Sequence, residues 1–160
     1  MNRQHFFTTQ DRIERLQSEV QRWIGTPFFE SCGRRAKPGV AADCVSWIAA
    51  VLQRIGAIGH VPWPRSYVSR GGGAHMLLVM VSVLDNIERL GLVWTRDTGH
   101  QLPPLIPGDL LVYSTGTRLH HLAILVDAKV TAHSWAGEVR LASLDDHLEK
   151  LLIRLYRPLA

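Results

Sequence analysis

The chain has 160 residues, of which 46% are hydrophobic and 20% are charged, and its formal net charge is +4. These proportions are those of an ordinary globular protein, and they exclude a disordered, fibrous or disulfide-scaffold protein. The length fits one domain, so we predict a single domain over residues 1–160. No dense Lys/Arg run is interleaved with aromatic residues, and we therefore expect no nucleic-acid partner.

The N-terminal segment lacks the apolar stretch of a signal peptide, and the longest strongly apolar run covers residues 76–84. That run is about half of a membrane span, so we predict a soluble protein that is synthesised in the cytoplasm and has no membrane partner. One basic cluster stands out, formed by Arg34, Arg35 and Lys37. We interpret it as a solvated loop, with contact to an acidic ligand as the alternative.

A first helix is predicted near the N-terminus. Thr8 or Thr9 can accept a hydrogen bond from a backbone N–H of the first turn, as helix-capping residues do. Apolar residues then recur at helical spacing up to residue 24, and the Gly-Thr-Pro segment at residues 25–27 ends the pattern. Residues 28–42 contain glycine, proline and several charges, and they are interpreted as a loop.

Two further helices are predicted. The second starts at Asp43 or Cys44, has an apolar face at helical spacing and ends before Gly56. Residues 57–73 contain two prolines and three consecutive glycines, which indicates a connection. The third helix is predicted over residues 74–90. Its apolar first half could form a strand, but the polar residues that follow favour a helix.

The remainder of the chain is rich in β-forming residues. Four strands are predicted, over residues 109–113, 119–126, 130–133 and 151–156, with a helical turn within residues 141–149. Helices that precede an antiparallel sheet are typical of the α+β class.

Cys44 is the first candidate for chemistry. It lies at the predicted start of a helix, where backbone N–H groups and the helix dipole favour negative charge. Such a position lowers the pKa of a thiol and favours the nucleophilic thiolate. A small buried core residue is the alternative. A disulfide to Cys32 would silence the thiol, but it is not expected in a reducing compartment.

Two histidines on neighbouring predicted strands extend this candidate site. If the strands form a hairpin centred on Asp127, His121 and His133 stand opposite each other on one face, while His120 points to the other. Two imidazoles so placed can share a hydrogen bond, with one as the base and the other holding its tautomer. The alternatives are polar residues on a half-exposed sheet, or a zinc site completed by Cys44. We predict no metal and no cofactor.

Five short motifs follow one another along the chain: WIGTPF at residues 23–28, DCVSWI at 43–48, PGDLL at 107–111, HLAI at 121–124 and TAHS at 131–134. In this order they resemble the NlpC-type family of papain-like cysteine peptidases. That family has a G-T-P-Y segment, a D-C-S-G nucleophile, and G-D-L, H-V-G-I and I-H-A strands. The 12-residue step between the two histidines is also shared.

The resemblance implies a papain-like α+β fold with N-terminal helices packed on a C-terminal antiparallel sheet. It also implies hydrolysis of amide bonds in peptidoglycan stem peptides, typically between D-glutamate and a diamino acid. Carried over, Cys44 is the nucleophile, His121 is the base in a resting ion pair with the thiolate, and His133 orients His121. The version found in phage tails or gene-transfer particles is the most similar, which would make the protein virion-associated, with phage-tail protein partners.

The sequence departs from the family pattern near the nucleophile. The tyrosine of G-T-P-Y, which helps to position the oxyanion in the family, is Phe28 here, and Ser-Gly after the nucleophile is Val45-Ser46. We predict that Phe28, Asp43 and Ser46 contact the substrate. An insertion covers much of residues 57–95.

Two other functions remain open at this point. A non-catalytic papain-like module that binds a cell wall or a phage tail is favoured by Phe28 and by the insertion. An acyltransferase or thioesterase on the same scaffold would line an acyl-chain groove with Phe28, Phe29, Trp47 and Trp63. Aromatic residues of this kind belong to the core more often than to a groove.

Overall fold

The structure, a computed structural model, describes residues 4–30, 32–65, 67, 74–114, 120–135 and 137–160. The glycine run at 71–73 and the first residue of the predicted strand 119–126 lie outside these ranges. The described helices are α1 (Gln10–Gln21), α2 (Ser46–Arg54), α3 (Ala74–Asp85) and α4 (Asp146–Leu151). The described strands are β1 (Leu90–Thr95), β2 (Leu110–Ser114), β3 (His120–Asp127), β4 (Val130–Trp135), β5 (Glu138–Ser143) and β6 (Leu152–Pro158).

The six strands form one antiparallel sheet with the order β1-β6-β2-β3-β4-β5. Its central strands are buried on both faces. On one face, Leu122 and Ile124 of β3 pack with the helices in the larger core. On the other face, Ala123 and Leu125 pack with Leu144 and with other apolar side chains of β2 and β6. The α+β prediction, with helices packed on an antiparallel sheet, is therefore confirmed.

The ends of α1 and α2 follow from local chemistry. The side chain of Thr9 accepts a hydrogen bond from the backbone N–H of Arg12 and caps α1, as predicted. After α2 the chain turns at Gly56, whose φ of +76° is left-handed and favours glycine. The start of α2 differs from the prediction, because the helix begins at Ser46 and Cys44 lies in the turn before it.

Two strands were missed. The third helix ends at Asp85, and the segment predicted as its last turn leads into β1, which pairs with β6 from Leu90↔Pro158 onwards. β5 buries only Val139 on the helix side of the sheet, so its sequence shows little alternation. Both strands sit at the edges of the sheet, where each has a hydrogen-bonded neighbour on one side only.

The β3–β4 hairpin has a different register from the predicted one. The pairs Leu125↔Thr131 and Ile124↔Ala132 centre the turn on residue 128, not on Asp127. Continued along the strands, this register shifts the partner of each residue by two positions. Since side chains alternate with a period of two, the shift leaves both histidines on one face, as diagonal neighbours.

Candidate active site

The turn that carries Cys44 is built around the carboxylate of Asp43. Asp43 is fully buried, and its Oδ1 accepts hydrogen bonds from the backbone N–H groups of Val45 at 3.0 Å and Ser46 at 2.8 Å. In return, the backbone N–H of Asp43 donates to Oγ of Ser46 at 3.3 Å. These bonds satisfy N–H groups at the start of α2, as a helix-capping side chain does.

The same carboxylate ties two remote segments to this turn. The backbone N–H of Cys32 donates to Oδ2 of Asp43 at 2.7 Å, and the hydroxyl of Tyr67 donates to Oδ1 at 3.0 Å. Burial, and after it the charge of Asp43, raises the pKa of Tyr67, so the phenol stays protonated and remains a donor. Four donors therefore hold Asp43 in place, and Cys44 is fixed beside it.

The thiol of Cys44 is buried, with 3% of the residue exposed. Burial, and to a smaller extent the charge of Asp43, raises its pKa to about 12. Hydrogen bonds from the backbone amides of Leu122 and of Cys44 itself act in the opposite direction. The expectation of a low pKa was wrong, because Cys44 precedes the helix and desolvation outweighs the amide dipoles.

The two histidines are brought together as predicted. Nε2 of His121 lies 2.9 Å from Nδ1 of His133, and the ring centroids are 5.1 Å apart in an edge-to-face arrangement. The β3–β4 backbone pair nearest the histidines is Ile124 with Ala132. His121 precedes this pair on β3 and His133 follows it on β4, where β4 also pairs with β5. The hydrogen bond thus joins the two strands past their last described backbone pair.

Burial also decides the charge of the imidazoles. His121 is 7% exposed, and burial together with the neighbouring His133 lowers its pKa to about 3. Burial and Arg140 lower the pKa of His133. At neutral pH, Cys44 and His121 are therefore both uncharged, and the predicted resting ion pair is wrong. Desolvation is the largest cause of both shifts, and it disfavours the charged form of each group.

The thiol of Cys44 meets β3 at the peptide link that follows His121. The amide that donates to Cys44 is that of Leu122, and it belongs to the peptide group that joins His121 to Leu122. Cys44 packs in the helix-side core, which also contains the side chain of Leu122. The turn before α2 therefore meets the start of β3 at the residue that follows His121.

The residues predicted to contact substrate have mainly structural contacts. Asp43 and Ser46 are 0% and 1% exposed, and they bond to each other as described above. Phe28 is half-buried and forms a bridge to Ala42, while its backbone N–H donates to the carbonyl of Gly137 at 2.7 Å. These contacts hold the loop before Cys44 against the β4–β5 hairpin.

Sequence reasoning missed Tyr67 and the amides of Cys32 and Leu122. Tyr67 belongs to the predicted connection, where no periodic pattern surrounds it, and its ring packs edge-on against Trp63 at 4.7 Å. One signal for Tyr67 was available, because the insertion contains a tyrosine whereas Phe28 replaces the tyrosine of the family motif. The backbone donors carry no sequence signal, because every residue except proline has an N–H.

The aromatic residues suggested for an acyl groove do not share one surface. Trp47 is completely buried against Trp23, with ring centroids 6.1 Å apart, whereas Phe29 is 59% exposed. Within the described ranges, no three His, Cys, Asp or Glu side chains come together as a metal-binding group. None of the helices in the described part of the chain combines the length and apolarity needed to cross a bilayer.

Among solved structures, the chain is similar to a lipoprotein-like protein of the NLP/P60 family from Staphylococcus aureus. The TM-score is 0.60 at 18% sequence identity, and the match covers 100% of this chain and 45% of the other. The chain thus spans less than half the length of that protein, and the likeness concerns the fold. Neither a known protein family nor a curated protein sequence matches the chain.

Proposed function

We propose that the protein is a cysteine peptidase that hydrolyses amide bonds in peptidoglycan stem peptides. The supporting observation is the hydrogen bond between Nε2 of His121 and Nδ1 of His133, formed next to the peptide link that the thiol of Cys44 contacts. The fold, which is similar to that of an NLP/P60-family protein, agrees with this class of hydrolase. The location in a phage tail remains a prediction.

The roles of the histidines follow from which ring nitrogen each uses. Since Nε2 of His121 faces Nδ1 of His133, we assign the proton of this bond to Nε2 of His121. Nδ1 of His121 is then unprotonated and able to act as a base. His133 acts as a positioning residue, because it holds this tautomer and limits rotation of the ring.

Because Cys44 and His121 are both uncharged at rest, proton transfer between them accompanies the nucleophilic attack. The proton of the Cys44 thiol passes to Nδ1 of His121 as the sulfur attacks the carbonyl carbon, so no thiolate accumulates beforehand. The backbone N–H of Cys44 stabilises the oxyanion. The imidazolium of His121 then gives its proton to the leaving amine as the C–N bond breaks. Water, deprotonated by His121, cleaves the resulting thioester and releases the acid and the thiol.

Cys44→Ala should reduce hydrolysis of a stem peptide by about a thousandfold or more, because the nucleophile is lost. Cys32→Ala is the matched control. The side chain of Cys32 donates only to the carbonyl of Phe29, and its amide, which binds Asp43, remains. Product formation by mass spectrometry measures both variants. Equal hydrolysis by the Cys44→Ala variant and the unmodified chain would eliminate the proposal.

The burial of the thiol favours a second candidate, a non-catalytic papain-like module that binds cell-wall or phage-tail material. At 3% exposure and with its pKa raised, Cys44 is expected to react slowly with alkylating agents if the turn stays closed. Labelling with iodoacetamide, with and without a stem peptide, separates the two functions. A Cys44 that stays inert, together with undetectable hydrolysis, supports the module.

A further inference from the structure

A cavity of about 250 Å³ lies beside α2, on the side of the basic loop. Ser46, Ala50 and Gln53 line it from one face of the helix, since their spacing brings them to the same side. Arg34 lines it from the short 3-10 helix Gly33–Arg35, and His60 and Trp63 line it from the connection that follows α2. The cavity therefore lies between the loop before Cys44 and the insertion.

The ionisable side chains that line this cavity are basic. Among the lining residues that the structure describes, they are Arg34 and His60, and none is an aspartate or a glutamate. Arg34 is exposed and, within the described ranges, has no hydrogen-bond or ion-pair partner. The carboxylate of Asp43 is already occupied by four donors, and Glu88 packs against Gly59 outside the lining. An unpaired guanidinium at a cavity without acidic groups attracts a carboxylate.

The size and position of the cavity fit one residue of a peptide. Its volume equals that of about eight liquid waters, and it is below the roughly 300–1,000 Å³ that accommodates a whole small molecule. Trp63 and Ala50 supply apolar wall for methylene groups. Ser46 belongs both to the cavity lining and to the turn of Cys44, because its Oγ accepts from the N–H of Asp43. The cavity therefore extends to the end of α2 that follows Cys44.

We propose that this cavity is a substrate subsite that binds a free carboxylate of an acidic peptide, with Arg34 as its ion-pair partner. The assignment rests on the proposed function, in which the substrate is a stem peptide that contains D-glutamate. It gives the basic cluster of the sequence a role through Arg34, which lines the cavity, while Arg35 and Lys37 are not among the described lining residues.

The test measures binding by calorimetry to the full chain carrying Cys44→Ala, so turnover is not required. The probes are L-alanyl-γ-D-glutamyl-L-lysine and the same peptide with the free carboxylate of D-glutamate converted to an amide. Arg34→Ala should weaken binding of the acidic peptide about tenfold, as loss of a charge-assisted pair does. Amidation should cost a similar factor with Arg34 present and almost nothing with Arg34 absent.

Arg15→Ala is the matched control, since Arg15 is an exposed arginine on α1. An equal loss of affinity in the Arg15→Ala variant would reduce the effect to overall charge and overturn the subsite. Undetectable binding to the parent, an amidation cost that persists without Arg34, or displacement of the peptide by an equal concentration of inorganic phosphate would also overturn it. Cleavage of the same peptide by the unmodified chain tests the proposed function separately.

Discussion

Acid should destabilise the protein through His121. This residue is 7% exposed, and burial followed by the neighbouring His133 lowers its pKa from 6.5 to about 3. In the unfolded chain the imidazole takes up a proton near its ordinary pKa, so between these two values the unfolded state holds more protons than the folded state. The free energy of unfolding contributed by His121 is therefore fully present above pH 6.5, and it is lost as the pH falls.

The magnitude follows from the size of the shift. The loss is about 1.4 kcal/mol for each pH unit below 6.5, and it reaches about 3 kcal/mol at pH 4.5 relative to pH 7.5. The lowered pKa of His133 adds to the loss in the same direction. Urea unfolding, followed by the fluorescence of the five tryptophans, measures the free energy of unfolding at each pH.

His121→Gln isolates the effect. The variant should be less stable than the unmodified chain at pH 7.5, because the hydrogen bond to His133 is weakened, but its stability should fall less steeply with acid. The difference in the free energy of unfolding between the two proteins should shift by about 3 kcal/mol in favour of the variant at pH 4.5. His100→Gln, which changes an exposed histidine, is the matched control. Parallel stability curves for the unmodified chain and the His121→Gln variant would refute the neutral, buried imidazole.

Two further substitutions test polar groups that the core encloses. Arg157→Ala should lower the free energy of unfolding in urea by about 3–5 kcal/mol. The reason is that the fully buried carboxylate of Asp109 loses the two hydrogen bonds, of 2.7 and 2.8 Å, that it accepts from the guanidinium. A loss below about 1 kcal/mol would contradict this prediction. Tyr67→Phe should lower the free energy of unfolding by about 1–2 kcal/mol and change the alkylation rate of Cys44. Tyr156→Phe, the control, removes a similar hydroxyl–carboxylate hydrogen bond elsewhere. It should lower the free energy of unfolding as much and leave the alkylation rate of Cys44 unchanged. Equal alkylation rates in the two tyrosine variants would show that Tyr67 has no special link to the Cys44 turn.

The sequence by itself determined the elements whose signals are local. The capping threonine and the apolar spacing predicted α1, and Gly56 marked the end of α2. The strands before and after the β3–β4 turn have enough β-forming residues to be recognised without their partners. The order of short motifs selected Cys44, His121 and His133, because the chemistry of a nucleophile and a base restricts which residue types can serve.

Only the tertiary structure decided the edge strands and the hairpin register. β1 is a strand because β6, more than fifty residues later, supplies its hydrogen-bond partners from Leu90↔Pro158 onwards. No pattern within residues 85–95 contains that information, so the sequence predicts a helix up to residue 90 and no strand after it. The register of β3 and β4 depended on how the turn at residue 128 forms, which the positions of the histidines could not indicate.

The tertiary structure alone also decided the electrostatics of the candidate site. The protonation states of Cys44 and His121 depend on how much water surrounds them, and burial shifts the pKa of the thiol upward and that of the imidazole downward. Asp43 acquires its role from donors that come from Cys32 and Tyr67 as well as from its own turn. Residue types and their spacing specify which groups are available, but solvent exclusion and contacts between distant segments arise only when the chain packs.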